Sequence, residues 1–203
     1  MIHHVWGLMA HPKREWQKIR GEDENVIQLF GSHVAILAAI PVLCSLIGTT
    51  FVGWHFGESV EGQDMRVQLS AGMALVLAAL FYALILGAVY LMGFVIHWLA
   101  ARFESRPSLQ RCTVFAGHMA TPLFLSGIVT LYPLVWLCVL ALGIGLAYTA
   151  YLVIIGLPHF LGIDRQAGLR AAGAWLAVGV LVLEALLAIT IFIGGYGANL
   201  VAG

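Results

Sequence analysis

Charge is what this 203-residue chain lacks most: only 10% of its residues are Asp, Glu, Lys or Arg. A soluble domain carries roughly 25%, so there are too few charges here to cover a water-facing surface. The formal net charge is zero, and no basic excess points to nucleic acid as a partner. Cysteine is scarce as well. Cys44, Cys112 and Cys138 are widely spaced and form no C-x-x-C pair, which excludes a disulfide framework or zinc ribbon and leaves small apolar packing residues. A cleavable leader is not readable either. Residues 1–30 have no continuous apolar core and hold four acids and four bases, so the segment is expected to remain on the mature protein.

Catalytic signatures are also missing. Ser126-Gly127 is not part of G-x-S-x-G, and no base with an orienting acid accompanies it. Gly143-x-Gly145 lies inside an apolar run rather than after a strand, so it reads as helix packing and not as a phosphate loop. The eight histidines form neither H-x-x-x-H nor H-x-x-E-H, and no metal site or cofactor is read from them. The expectation is a protein that is not an enzyme.

What the chain has is hydrophobicity. Apolar residues make up 61% of it, mean hydropathy is +0.95, and runs of about 20 apolar residues recur, the length a helix needs to cross hydrocarbon. The short alternating segments of a membrane β-barrel are absent. The fold class is therefore all-α, a polytopic transmembrane helical bundle, and the lipid bilayer is its first partner. Spans are expected at 33–54, 68–101, 112–131, 134–157 and 171–193, with Pro41 kinking the first. Tyr132-Pro133 leaves almost no loop, so the third and fourth spans must form an antiparallel hairpin. Residues 55–67 read as a short polar loop. Two domains are expected, an arm over 1–30 and a five-span domain over 31–203.

Five spans put the termini on opposite sides. Lys13, Arg14, Lys18, Arg20, Arg102, Arg106, Arg111, Arg165 and Arg170 fall on one side and only Arg66 on the other. The positive-inside rule then predicts a cytoplasmic N-terminus and an outside C-terminus. In the arm, Trp16 and Ile19 share a helix face while Lys13, Arg14, Lys18 and Arg20 occupy the others. Two readings stand: an interfacial helix contacting the membrane surface through these bases with Trp6 and Trp16, or a helix packed on the protein itself. Ala79, Ala83 and Gly87, four apart, form a stripe that lets another helix approach closely.

Gly117, His118 and Pro122 form a G-H-x-x-x-P that resembles the G-Y-x-x-x-P in the third span of the Yip (Ypt/Rab-interacting protein) family, with His in the Tyr position. The stretches HVWGLMAHP at 4–12, AAIPV at 38–42, ATPLFLSG at 120–127, LYPLVWLC at 131–138 and GVLVLEALLAIT at 179–190 carry the resemblance nearly end to end. It implies a five-span protein with a cytoplasmic N-terminus, located in a bacterium in the inner membrane. It also implies a non-enzymatic role, assembling with itself or with other membrane proteins. Eukaryotic members associate with Rab GTPases through longer N-terminal arms; the short arm and His118 set this chain apart from them.

The candidate intramembrane polar site comprises Glu184, His118, Pro122 and Gly117. A carboxylate within a span is costly unless paired or wetted, so Glu184 is expected to face the bundle interior, as a proton or cation relay or as a structural hydrogen-bonding group. Pro122 leaves the His118 carbonyl without its helical donor, opening a polar spot where Glu184 could pair with the imidazole. From these features comes the alternative function, a small transporter or channel for protons or metal cations.

Overall fold

This computed structural model describes residues 3–22, 24–58, 64–67, 70–164, 166, 168–170 and 172–185. Among the described residues five helices are long and apolar enough to cross a membrane: α3 (Val26–Val52), α4 (Ala71–Ala100), a third span over Leu109–Leu131, a fourth over Val135–Leu161, and a fifth over Gly168–Ala185. Two short helices precede them, α1 (His3–Ala10) and α2 (Pro12–Gly21).

The first span begins at Val26, seven residues before the expected start, because Asn25 supplies a capping box. Its side chain accepts from the Gln28 N–H at 2.8 Å while Gln28 reaches back to the Asn25 N–H. This satisfies helix-terminal donors that a membrane interior could not. The α-helix continues through Pro41 between π-helical turns at Phe30–Val34 and Gly48–Val52. Pro41 packs against Gly127, where any side chain would collide with the proline ring.

Residues expected as a plain loop contain a β-hairpin. β1 (Trp54–Glu58) pairs antiparallel with β2 (Asp64–Val67) in the register Trp54 with Val67 and His55 with Arg66. α4 then runs 30 residues, or about 45 Å at 1.5 Å per residue, enough for hydrocarbon and both headgroup layers.

The third span is not one helix. α5 (Leu109–Met119), started by Ser108 accepting from the Arg111 N–H, stops at Ala120. α6 (Thr121–Ser126) follows with Pro122 in its first turn, then a 3-10 turn over Gly127–Leu131. Proline provides no N–H for the preceding turn, so the chain ends one helix and starts another. α7 (Val135–Gly156) returns directly through Tyr132-Pro133, continuing as a π turn over Leu157–Leu161. Thus the expected hairpin of spans three and four forms. α8 (Gly168–Ala185) is the described part of the fifth span; the rest of the expected 171–193 lies outside the described residues.

The arm does not lie on a membrane surface alone. α1 and α2 form a helical hairpin whose turn at His11-Pro12 points along α7. The Tyr148 hydroxyl donates to the Met9 carbonyl at 2.8 Å and the Leu8 carbonyl at 3.3 Å. Tyr148 stands midway along the fourth span, whereas Arg20, near the other end of α2, donates to the His159 carbonyl at 3.4 Å. α2 therefore runs beside the second half of that span. Trp16 is fully buried, with ring centroids 4.9 Å from Phe115 and 5.4 Å from Phe160, and Gly156 leaves room for both Trp16 and Phe115. Of the two readings of the arm, packing on the protein describes Trp16 and Ile19; Trp16 makes no membrane-surface contact. Its apolar face serves the bundle core, and of the residues expected at the membrane surface Lys13, Arg14, Lys18, Arg20 and Trp6 remain exposed.

If Trp16 anchors the arm, Trp16→Ala should cost about 3–5 kcal/mol and expose Lys13, Arg14 and Lys18 to trypsin in detergent. Trp6→Ala, at a position 79% exposed, should stay within about 0.5 kcal/mol. Thermal unfolding and digestion rates measure both, and equal behaviour of the two variants would refute the anchor.

Candidate functional site

Below the arm hairpin, three histidines and three carboxylates from four elements meet. α1 contributes His4, α2 contributes Glu15 with Glu22 at its C-terminal end, and Glu24 stands just before α3. The bundle supplies His33 from α3 and His118 from α5. His4, His33 and His118 are 4%, 1% and 0% exposed, so each ring nitrogen needs a partner from the protein.

His4 finds two. Its Nδ1 lies 2.5 Å from Glu15 Oε1 and its Nε2 3.0 Å from Glu22 Oε2. Carboxylates only accept, so the imidazolium, donating from both nitrogens, is the form that satisfies this geometry. The residue thereby ties α1 to both ends of α2. Glu15 also takes Lys18 at 3.8 Å, a weak exposed contact.

His118 is held differently. Its Nδ1 faces the Val114 carbonyl at 3.0 Å, and a carbonyl cannot donate, so Nδ1 carries a proton. Nε2 then presents its lone pair, has no hydrogen-bond partner, and faces Glu24 Oε2 at 3.7 Å. Two acceptors facing each other across a buried gap repel unless a proton lies between them. Burial pushes the Glu24 carboxyl above its ordinary value, against the lowering influence of His4, which favours keeping that proton. The His33 ring stacks on His118 with centroids 4.3 Å apart, and its Nε2 meets Thr121 Oγ1 at 3.0 Å. Thr121 sits at the break before Pro122. The line of polar groups thus runs from Glu24 through two imidazoles to the interruption in span three. A crevice of about 20 Å³ beside Arg20, Glu24, Gln110 and Arg111 opens on its outer end.

The expected members separate. His118, Gly117 and Pro122 are buried together, and Gly117 is the close-approach point where α5 meets Leu29 and Val34 of α3. Glu184 is exposed on α8 instead of facing the interior. The carboxylate beside His118 is Glu24, so a Glu184–His118 pair is not made. The reason is chain path: the arm folds back against spans three and four and delivers its own acids beside His118. The sequence pattern singles out neither Glu22 and Glu24 nor His4 and His33 as members of this cluster. The nearest signal was an acidic run beside histidines in a chain so poor in charge. Among the described residues no three His, Cys, Asp or Glu side chains are arranged to hold a metal ion. The cluster can hold protons and can join arm to bundle.

A sign follows. A carboxyl whose docked value is raised contributes fully below its ordinary range, and that contribution is lost as pH climbs through the raised value. Arm docking should therefore weaken on alkalinisation, read as rising trypsin cleavage at Lys13 and Arg14. Glu24→Gln, whose amide donates to Nε2 without a shared proton, should keep the arm docked and flatten this part of the dependence, whereas Glu24→Ala should loosen it at every pH. An unchanged pH profile in Glu24→Gln would count against the shared proton.

The Yip1 domain model matches residues 6–196. The inner membrane protein YohC of Escherichia coli strain K12 is 51% identical over 197 residues, 97% of this chain and 98% of that protein, and YohC of E. coli O6:H1 matches to the same extent. No solved structure matches the chain.

Proposed function

This chain belongs to the Yip1 domain family, and from that premise we propose that it is a non-enzymatic, multi-pass protein of the bacterial inner membrane that assembles with a second copy of itself or with other membrane proteins. The charge asymmetry of the loops supports a cytoplasmic N-terminus. One observation carries the assembly reading. Glu184 is exposed on an otherwise apolar stretch of α8, about 24 Å along it from Gly168 at 1.5 Å per residue. It has no hydrogen-bond or ion-pair partner among the described residues. A carboxylate turned toward lipid is costly, and intramembrane acids face protein or water; a polar group from a neighbouring molecule meets that need. The Ala79, Ala83 and Gly87 stripe supports the same reading, since all three are exposed and a side chain added at Gly87 would meet open space. Transport would ask Glu184 and His118 to line one wet space, whereas Glu184 points outward and His118 is sealed.

The test is association in bilayers, followed by energy transfer between labelled copies and by cross-linking in native membranes. Glu184→Leu should weaken assembly by about 1–2 kcal/mol, or roughly 5- to 30-fold, with Glu184→Gln retaining most of it. A wild type that neither self-associates nor cross-links to another membrane protein, or a Glu184→Leu variant that assembles as before, would remove the proposal.

A further inference from the structure

Where the arm turns against the fourth span it leaves an apolar groove of about 540 Å³. Met9, Ala10 and Pro12 form one wall, and Ile144, Ala147 and Tyr151 the other. Tyr148 closes the back, its hydroxyl engaged by the Leu8 and Met9 carbonyls. Leading into the groove from the far end of α7 is an exposed apolar strip: Val139 is 64% exposed, Leu140 54% and Ile144 64%. Above the groove the surface changes character at once. Lys13 and Arg14 follow Pro12 directly, both are exposed, and neither has an ion-pair partner among the described residues. The nearest acid on α2, Glu15, is turned inward to His4.

Depth makes this arrangement informative. The groove lies level with Tyr148, midway along the Val135–Leu161 span. Two cations facing hydrocarbon there would be costly, and a lysine or arginine side chain reaches outward only a limited distance to a headgroup layer. No carboxylate among the described residues is paired with either of them. The ligand that answers both features has a negative head and a long apolar tail.

We propose that the groove between the arm turn and α7 seats an anionic phospholipid, its phosphate on Lys13 and Arg14 and one acyl chain laid along Ile144, Ala147 and Tyr151. The bound headgroup sits deeper than the surrounding headgroup plane, so the arm draws a lipid inward on this face of the bundle. Charge complementarity selects an anionic head over a zwitterionic one. The apolar walls select a lipid over free phosphate.

Native mass spectrometry of the full-length protein in detergent tests this, with dioleoyl-phosphatidylglycerol and dioleoyl-phosphatidylcholine as probes. The wild type should hold phosphatidylglycerol in preference. Lys13→Gln and Arg14→Gln should each weaken it about fivefold, the value of one basic residue near an anionic lipid, and together should erase the preference. Ala147→Trp, an exposed position where added bulk fills the groove, should release both lipids while the thermal transition stays in place. Millimolar inorganic phosphate should displace neither. The proposal fails if the paired charge variant still prefers phosphatidylglycerol, if Ala147→Trp binds as the wild type does, or if phosphate alone competes. It fails equally if a cysteine at position 147 cross-links to a second copy in lipid-rich membranes, because the groove would then be a protein interface.

Discussion

Everything at one end of this bundle depends on Trp16 being inside it. The indole lies among Phe115, Phe160 and the glycine notch at Gly156, fully removed from solvent. Burying a side chain of that size is worth a few kcal/mol, more than any single polar contact of the arm supplies. With α2 so fixed, α1 folds back alongside it, and His4 reaches Glu15 and Glu22. Glu24 is then delivered to the imidazole of His118. The polar cluster is thus a consequence of an apolar anchor.

This ordering explains why the charged groups of so uncharged a chain end up where they do. α2 turns its apolar face to the bundle and its bases outward. Two of the arm's acids, Glu15 and Glu24, turn inward, where imidazoles meet them. The result is a surface carrying Lys13 and Arg14, unpaired among the described residues, beside a wall of exposed apolar side chains. Such a surface suits neither water nor hydrocarbon alone. Glu184 on α8 is the mirror case: an exposed acid on an apolar face. Both features ask for something outside the chain, and both are consistent with a protein whose work is done by contact within a membrane.

The breaks in the spans serve the packing. Pro122 ends α5 and restarts the helix at Thr121, and Thr121 then offers its hydroxyl to His33. Pro41 is accommodated because Gly127 across the interface has no side chain. In a membrane interior backbone donors and acceptors cannot fall back on water. At Pro122 and Pro41 the irregular backbone lies where neighbouring residues close over it.

The sequence by itself determined the class, the five spans, the tight return at Tyr132-Pro133 and the break at Pro122, because each follows from local hydropathy or from the missing proline N–H. The family was legible too, from motifs that lie within single segments. Only the tertiary structure decided which carboxylate stands beside His118. Glu24 and His118 are distant in sequence and on separate elements, and nothing local distinguishes Glu24 from Glu184 as the partner. The direction of Trp16 was equally undecidable: an amphipathic helix shows which face is apolar but not whether lipid or protein will cover it. That choice rested on a notch at Gly156, and a notch exists only once helices have packed.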